Sequence, residues 1–209
     1  PGQRFAEDHL RMLRAVRLAA SLDFAIAPET MRAIRTLAPS IRLISAERSR
    51  EEIVRILTGR SPRRGTELLD ESGLLVELMP EVASMKGVEQ PSQFHPEGDV
   101  WVHTLLMLGL LQQPTVTLAM GALLHDVGKP LTYRVQERIR FDGHAELGAK
   151  MAAGIMGRLR FSNEEIRTVT ALVADHLRFK DVKQMQESTL RRFLRQPYFE
   201  ELLELHRLD

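Results

Sequence analysis

The 209-residue sequence contains no cysteine, one tryptophan and two tyrosines. Without cysteine it can form no disulfide, no thiolate zinc site and no cysteine nucleophile, which suits a reducing compartment. No apolar run approaches the roughly 20 residues that span a bilayer, and the first residues, 1–4, do not resemble a signal peptide. We therefore expect a cytoplasmic protein that does not enter a membrane.

The net charge of +1 hides an uneven distribution of basic residues. Residues 1–64 contain thirteen arginines and no lysine against seven acidic residues, whereas residues 65–209 contain sixteen basic against twenty-one acidic residues. Guanidinium groups bind phosphate oxygens through two parallel hydrogen bonds, so this excess predicts RNA binding, with Arg14 and Arg17 as candidate contacts. The alternative is a solvated helix face whose charges form ion pairs.

Apolar residues recur at helical spacing through most of the sequence, which predicts an all-α fold. A first helix is expected over residues 7–21, and Asp99, Thr115 and Ser162 are placed to cap later helices. Residues 131–141 alternate in hydrophobicity and predict one small β-hairpin. The proline and glycine residues in 87–98 indicate a linker, which predicts an N-terminal helical region over 1–90 and a second helical domain over 91–209.

The pair His125-Asp126 ends an apolar run, and imidazole next to carboxylate suits a divalent metal ion. Further imidazole and carboxylate ligands are spread along the second region: His103, His144, His176 and Asp209. We expect His103, His125, Asp126 and Asp209 to bind a metal, with His144 and His176 binding a second ion or phosphate and Asp126 bridging the two. Lys129 would face the phosphate as a point charge, so Asp126 and Lys129 are the candidate catalytic residues.

Each of these histidines taken alone is equally consistent with an ordinary core or surface residue. We interpret His9, His95 and His206 in that way. The order of the others resembles the HD family of metal-dependent phosphohydrolases. This resemblance implies hydrolysis of phosphate esters, such as 2′,3′-cyclic or terminal phosphates on nucleotides or RNA ends, with Mg²⁺, Mn²⁺ or Ni²⁺ as the unspecified cofactor.

The segment Glu7-Asp8-His9-Leu10-Arg11 is a second candidate site. Residues three apart share a helix face, so Asp8 and Arg11 could present an acceptor and several donors to the Watson–Crick edge of a base. The alternative is an ordinary ion pair on a helix surface.

The run from Arg4 to Arg17, with its EDxxR element, resembles the nucleotide-selecting motif of bacterial-type tRNA nucleotidyltransferases and poly(A) polymerases. Ser45 to Arg48, with Glu52 and Leu57-Thr58-Gly59, is similar to the next motif of that family, and some members carry an HD domain after such a linker. The resemblance implies a neck and body over 1–90, an HD domain over 91–209, selection of ATP or CTP by Asp8 and Arg11, and tRNA or an RNA 3′ end as partner.

The polymerase head of that family, with its glycine-serine loop and Asp-x-Asp pair, would precede Arg4, and this sequence does not contain it. We therefore expect either a piece of a longer enzyme or a relative without a head, with no nucleotidyl transfer by these residues alone. Two other functions remain open. One is an RNA-binding scaffold with a relic HD site, and the other is a free-standing phosphohydrolase of signalling nucleotides.

Overall fold

The structure is a computed structural model that describes residues 1–91, 93 and 96–209. The fold is all-α with one small hairpin, as the sequence predicts. The prediction for His95 lies outside the described residues. The α-helices are α1 Gly2–Glu7, α2 Leu10–Leu22, α3 Pro28–Leu37, α4 Ala46–Leu57, α5 Pro62–Glu71, α6 Leu74–Leu78, α7 Pro80–Ala83, α8 Val100–Leu110, α9 Val116–Leu124, α10 Lys129–Thr132, α11 His144–Arg158, α12 Asn163–Asp175, α13 Glu187–Leu194 and α14 Phe199–Leu208. Two 3₁₀ helices span Ala38–Leu43 and His176–Gln184.

The first predicted helix, over residues 7–21, is wrong at its start. α1 ends at Glu7, and Asp8 is extended (φ −150°, ψ 104°) before α2 begins at Leu10. The Asp8 carboxylate accepts a hydrogen bond from the Leu10 backbone N–H at 3.1 Å. An aspartate that binds a nearby backbone donor in this way competes with helix continuation. Asp8 and Arg11 therefore do not lie on one uninterrupted helix.

In the N-terminal half, α2 packs against α4 and α5. Its apolar side, with Met12, Leu13 and Val16, is fully buried. In the second half, α9 is covered by α8, α12 and α14, and every residue from Leu118 to Leu124 is buried. Such complete burial explains why this segment is apolar on all sides rather than on one face.

The three predicted caps form. The side chains of Asp99, Thr115 and Ser162 accept hydrogen bonds from the first turns of α8, α9 and α12, and Glu165 completes a capping box with Ser162. These caps satisfy backbone donors that otherwise have no partner within the helix.

The hairpin is shorter than predicted. It pairs β1, Arg134–Val135, with β2, Ile139–Arg140, in antiparallel register. Val135 is exposed and Leu131 belongs to α10, so the alternating apolar residues do not pack into the core.

One hydrophobic core extends through both halves, because α5 packs against α8 and α4 against α9. Two further contacts join the halves: Arg50 donates to the Arg160 carbonyl, and Arg158 donates to Glu81 at 2.8 Å. The domain boundary near residue 90 stays a prediction. Across the described residues, no helix is both long and apolar enough to cross a membrane.

Gly128 allows the turn after His125-Asp126 to lie directly against α11. A Cβ added at Gly128 would lie 2.2 Å from the His144 carbonyl oxygen and 2.8 Å from the Gly148 backbone nitrogen. Both neighbours are backbone atoms, which cannot move away as a flexible side chain can. The close approach of this turn to α11 thus requires glycine at position 128.

We predict that Gly128→Ala destabilises the protein by about 1–3 kcal/mol or more, because the methyl group forces the turn and α11 apart. Gly154→Ala is the matched control. Gly154 lies within α11, and a Cβ added there meets no neighbouring atom within 4 Å. The control should be stabilised by about 0.5–1 kcal/mol, as expected for glycine replaced by alanine within a helix. Thermal or urea unfolding measures both, and equal stability of the two variants would contradict the close approach.

Candidate metal centre

Five separate parts of the fold bring the predicted metal ligands together. His103 lies on α8, His125-Asp126 follows α9, His144 begins α11, His176 follows α12, and Asp209 follows α14. Two groups of three residues each have ligand atoms within 4.8 Å of one another. They are His103, His125 and Asp209 in the first group, and Asp126, His144 and His176 in the second.

Asp126 lies between the two groups. Its Oδ2 is 3.1 Å from His125 Nε2, while its Oδ1 is 3.5 Å from His144 Nε2 and 3.9 Å from His176 Nε2. In the first group, Asp209 Oδ1 is 2.9 Å from His103 Nε2 and 4.0 Å from His125 Nε2. This arrangement is compatible with a carboxylate that bridges two ions.

Three of the imidazoles are oriented by backbone carbonyl groups. The Nδ1 atoms of His125, His144 and His176 lie 2.7–2.9 Å from the carbonyl oxygens of the residues three positions earlier. A carbonyl oxygen only accepts, so each Nδ1 carries the proton and donates it. In the neutral imidazole this leaves the lone pair on Nε2, which points toward Asp126, and second-shell bonds of this kind are usual for metal-binding histidines.

His103 is oriented by a different group. Its Nδ1 lies 2.7 Å from Glu97 Oε1, and its Nε2 faces Asp209. Glu97 is not recognisable from the sequence, because a carboxylate six residues before a helical histidine follows no recognised spacing.

The buried polar atoms at this centre fit a divalent cation. Among the described residues, His125 Nε2 and His144 Nε2 are buried and have no hydrogen-bond partner, whereas Asp126 Oδ2 lies 2.6 Å from the Lys129 ammonium. Unsatisfied buried groups are costly, and imidazole nitrogens grouped around a carboxylate suit a divalent cation. His103, His125 and Asp209 could hold one ion and Asp126, His144 and His176 another, while the prediction that Asp126 belongs with the first set stays a prediction.

The electrostatics favour ionised carboxylates and two neutral imidazoles. Burial opposes charge on Asp126, but His125 and Lys129 outweigh it and hold the pKa of Asp126 well below its usual range. Burial lowers the pKa of His144, and it lowers the pKa of His176 to about 4 with help from the charge of His125. Both imidazoles are therefore unprotonated near neutral pH, as metal binding requires.

His125 shows the opposite shift. Burial disfavours its charged form, but the Asp126 carboxylate outweighs burial and raises the pKa of His125. Burial likewise opposes ionisation of Asp209, but the hydrogen bond from His103 outweighs it and lowers the pKa of Asp209. A cation that binds His125 Nε2 must displace a proton there if the metal-free imidazole is charged.

A cavity of about 940 Å³ opens onto the second group of ligands. Lys129, only 5% exposed, lies at its base with Nζ 2.6 Å from Asp126 Oδ2. Lys129 Nζ also donates to Oε1 of Gln90, a buried linker residue that the sequence did not indicate. Basic and acidic side chains both line the rest of the cavity, and Arg140 is paired with Asp142 and Arg178 with Asp175. The lining residues of these two kinds are Arg138, Arg140, Arg178 and Lys180, and Asp142, Glu146 and Asp181.

The other predicted site residues belong to the N-terminal half and lie in different surroundings. Arg48 donates to both carboxylate oxygens of Asp8 at 3.1 and 3.4 Å. Arg11 donates to Glu7 at 2.7 Å and to the Arg4 carbonyl at 2.9 Å. Asp8 and Arg11 are thus each engaged with a different neighbour.

Arg14 and Arg17 both contact Glu52, which is buried in α4. Arg17 Nε donates to Glu52 at 2.7 Å, and Arg14 Nε lies 3.4 Å from its other oxygen. Arg17 is 22% exposed at its side chain and Arg14 is 49% exposed, so only Arg14 presents much of its surface to solvent. The alternative interpretation of these arginines, as members of an ion-pair network, thus describes Arg17 well.

His9 and His206 lie outside both ligand groups, as predicted. His9 is half-buried immediately before α2, and His206 stacks on Phe179 with ring centroids 4.6 Å apart. Both positions are consistent with structural roles.

Comparisons with known proteins agree with the two halves of this fold. The family profile described as "HD domain" matches residues 100–205, about half of the chain. The profile described as "Probable RNA and SrmB- binding site of polymerase A" matches residues 23–86. The chain is also 38% identical over 199 residues to the CC-adding tRNA nucleotidyltransferase of Thermus thermophilus. This chain belongs to the HD domain family and to the tRNA nucleotidyltransferase/poly(A) polymerase family.

Two multifunctional CCA proteins show similar agreement. Those of Pseudomonas fluorescens and Pseudomonas savastanoi are 39% and 40% identical over 167 residues, which is 77% of this chain. The Thermus match covers 90% of this chain. The chain spans less than half of these relatives, 45% of the Thermus protein and 41% of each Pseudomonas protein. The matched part contains the RNA-binding region and the HD domain of the family.

We predict that His125→Ala abolishes or strongly reduces bound Mn²⁺, because it removes one of the three residues of the first ligand group. His206→Ala is the control, since it removes an exposed imidazole outside both ligand groups. Metal content is measured by elemental analysis after chelation, reloading with Mn²⁺ and gel filtration. Equal content in wild type and His125→Ala would refute the site.

Proposed function

We propose that the HD centre of this chain is a metal-dependent phosphohydrolase for phosphate esters of nucleotides or RNA ends, including 2′,3′-cyclic and terminal phosphates. The supporting observation is the pair of ligand groups that meet at Asp126, with the unsatisfied Nε2 atoms of His125 and His144 facing its carboxylate. When bound there, a divalent cation lowers the pKa of water and screens the charge of a phosphate. Mg²⁺, Mn²⁺ and Ni²⁺ are the candidate ions.

Asp126 and Lys129 have different roles in this proposal, because Asp126 binds the ion and Lys129 binds the substrate phosphate. Asp126 stays ionised at neutral pH because His125 and Lys129 lower its pKa, so it remains available as a ligand. Lys129 holds a positive charge at the base of the cavity, where it attracts a phosphate oxygen.

The cavity favours a substrate larger than inorganic phosphate. Its volume of about 940 Å³ falls in the range of sites that bind small organic molecules. Arg138 and Lys180, which line the cavity together with Lys129, would supply positive charge toward a polyanion. A nucleotide or the end of an RNA strand meets both conditions.

Asp126→Asn should lower hydrolysis of 2′,3′-cyclic AMP or bis-p-nitrophenyl phosphate to background with Mn²⁺, Ni²⁺ or Mg²⁺, because the shared ligand loses its charge. Asp23→Asn is the matched control, since Asp23 lies after α2 at φ 55°, a conformation that asparagine tolerates. The control should retain wild-type turnover. If wild type shows no turnover above the Asp126→Asn background with any of the three ions, the RNA-binding scaffold becomes the better hypothesis.

The N-terminal half supports a second proposal, binding of tRNA or another RNA 3′ end. The matched RNA-binding profile and the excess of arginine both lie in this half. Arg14 remains a proposed contact because it is half exposed, whereas Arg17 chiefly neutralises Glu52. Replacing both would leave Glu52 buried without its two nearest partners, at a cost of about 1–3 kcal/mol. Other arginines therefore give a cleaner test.

Arg32 and Arg60 are exposed, and within the described ranges neither forms an ion pair. We expect the double variant Arg32→Gln/Arg60→Gln to make the negative slope of log affinity for tRNA against log salt shallower by about 1.5, since fewer phosphate contacts mean that fewer counterions are released on binding. The control with equal net charge is Arg191→Gln/Arg207→Gln, because those arginines are exposed and far along the chain in α13 and α14. Filter binding at several salt concentrations measures the slopes. Identical slopes in the two double variants would indicate attraction by net charge alone.

Selection of ATP or CTP by Asp8 and Arg11 remains a proposal for a protein that includes a polymerase head. For both residues to contact a base, Asp8 would have to exchange Arg48 for the ligand, and Arg11 would have to release Glu7. A cytoplasmic location likewise stays a prediction from the sequence.

A further inference from the structure

Gln90 is fixed in place although it belongs to the predicted linker. Its backbone N–H donates to the Gly98 carbonyl at 3.0 Å, and the preceding Glu89 forms an antiparallel bridge with Asp99. Only 4% of its surface is exposed. These two contacts join residues 89–90 to residues 98–99 just before α8, and Gln90 lies against Lys129 of the metal centre.

The two ends of the Gln90 side chain differ in their partners. Oε1 accepts a hydrogen bond from Lys129 Nζ. Nε2 is also buried but has no hydrogen-bond partner among the described residues. Gln90 lines the same cavity as Asp126 and Lys129, so this unsatisfied donor lies where a substrate would bind.

Lys129 fixes the orientation of the amide. An ammonium group only donates, so the atom that contacts Lys129 must be the amide oxygen, and the –NH₂ group occupies the other position. That –NH₂ group needs an acceptor, and the Lys129 ammonium beside it favours an acceptor that carries negative charge. In the proposed function the ligand atoms of the cluster bind a cation, and a phosphate oxygen of the substrate would supply the charged acceptor.

We propose that Gln90 is a phosphate-binding residue of the HD centre, whose side-chain N–H groups donate to a non-bridging oxygen of the substrate phosphate beside Lys129. This assignment rests on the proposed phosphohydrolase function. It gives the linker a direct part in substrate binding, because the group that contacts the phosphate precedes the HD helices in the chain.

A purely positioning role for Gln90 predicts a different result. If Gln90 acted only by holding Lys129 against Asp126, its loss would disturb Asp126 and weaken metal and phosphate binding together. If its N–H groups bind phosphate, metal affinity stays close to that of wild type while phosphate affinity falls. Measuring both affinities separates the two roles.

The experiment uses the 209-residue chain loaded with Mn²⁺ and inorganic phosphate as the probe, measured by isothermal titration calorimetry. Gln90→Met keeps the length of the side chain but removes both N–H donors, and Gln184→Met is the control at an exposed glutamine outside the cavity. We expect Gln90→Met to weaken phosphate binding about tenfold or more, as for one lost hydrogen bond to a charged group, with Mn²⁺ affinity within about twofold of wild type. Gln184→Met should match wild type.

Gln90→Glu provides a second variant that keeps an oxygen for Lys129. Its carboxylate has no N–H donor and repels phosphate, so phosphate binding should fall at least as far as in Gln90→Met. The proposal is overturned if Mn²⁺-loaded wild type binds no phosphate, if Gln90→Met binds it as tightly as wild type, or if Mn²⁺ and phosphate weaken in parallel. Phosphate binding that depends on Gln90 without turnover by wild type would retain this assignment and refute hydrolysis.

Discussion

The second half of this protein is organised around the buried carboxylate of Asp126. Its two oxygens face the Nε2 atoms of His125, His144 and His176, and Lys129 lies against one of them. Each imidazole is turned toward the carboxylate because its other nitrogen donates to the backbone carbonyl three residues earlier. Local backbone geometry therefore sets the direction of each Nε2, and the packing of the helices sets the distances. A cation would satisfy atoms that this packing leaves without partners.

Close packing of backbone around the centre makes that arrangement possible. α9 is buried on all sides, so it places His125-Asp126 at the middle of the second half rather than at its surface. Gly128 then allows the following turn to meet α11 at a distance that no larger residue permits. The same approach brings His144, the first residue of α11, within 3.5 Å of Asp126. Gly128 therefore affects both the packing of the turn against α11 and the position of His144 at the metal centre.

The N-terminal half connects to this centre through a shared core and through the linker. α5 and α4 pack against α8 and α9, the helices that carry or precede His103 and His125. The linker contributes Glu97, which orients His103, and Gln90, which contacts Lys129. RNA bound to the arginine-rich half and a phosphate bound at the HD centre would therefore lie on one packed body, which suits a substrate that carries both an RNA strand and a phosphate end.

The sequence by itself determined the all-α class, the helix caps and the set of metal-ligand candidates, because helical periodicity, capping residues and ligand chemistry are local properties. It did not determine the break between α1 and α2 at Asp8. Periodicity alone predicts a continuous helix, but the Asp8 carboxylate accepts a hydrogen bond from the Leu10 backbone N–H and so competes with that helix. The sequence also did not reveal that Arg17 contacts the buried carboxylate of Glu52, 35 residues away, and its predicted contact with RNA stays a prediction. The roles of Glu97 and Gln90 depend on contacts with His103 and Lys129. The role of Gly128 depends on how closely its turn approaches the backbone of α11. Only tertiary packing decides such contacts, because no spacing along the chain encodes which surfaces will meet.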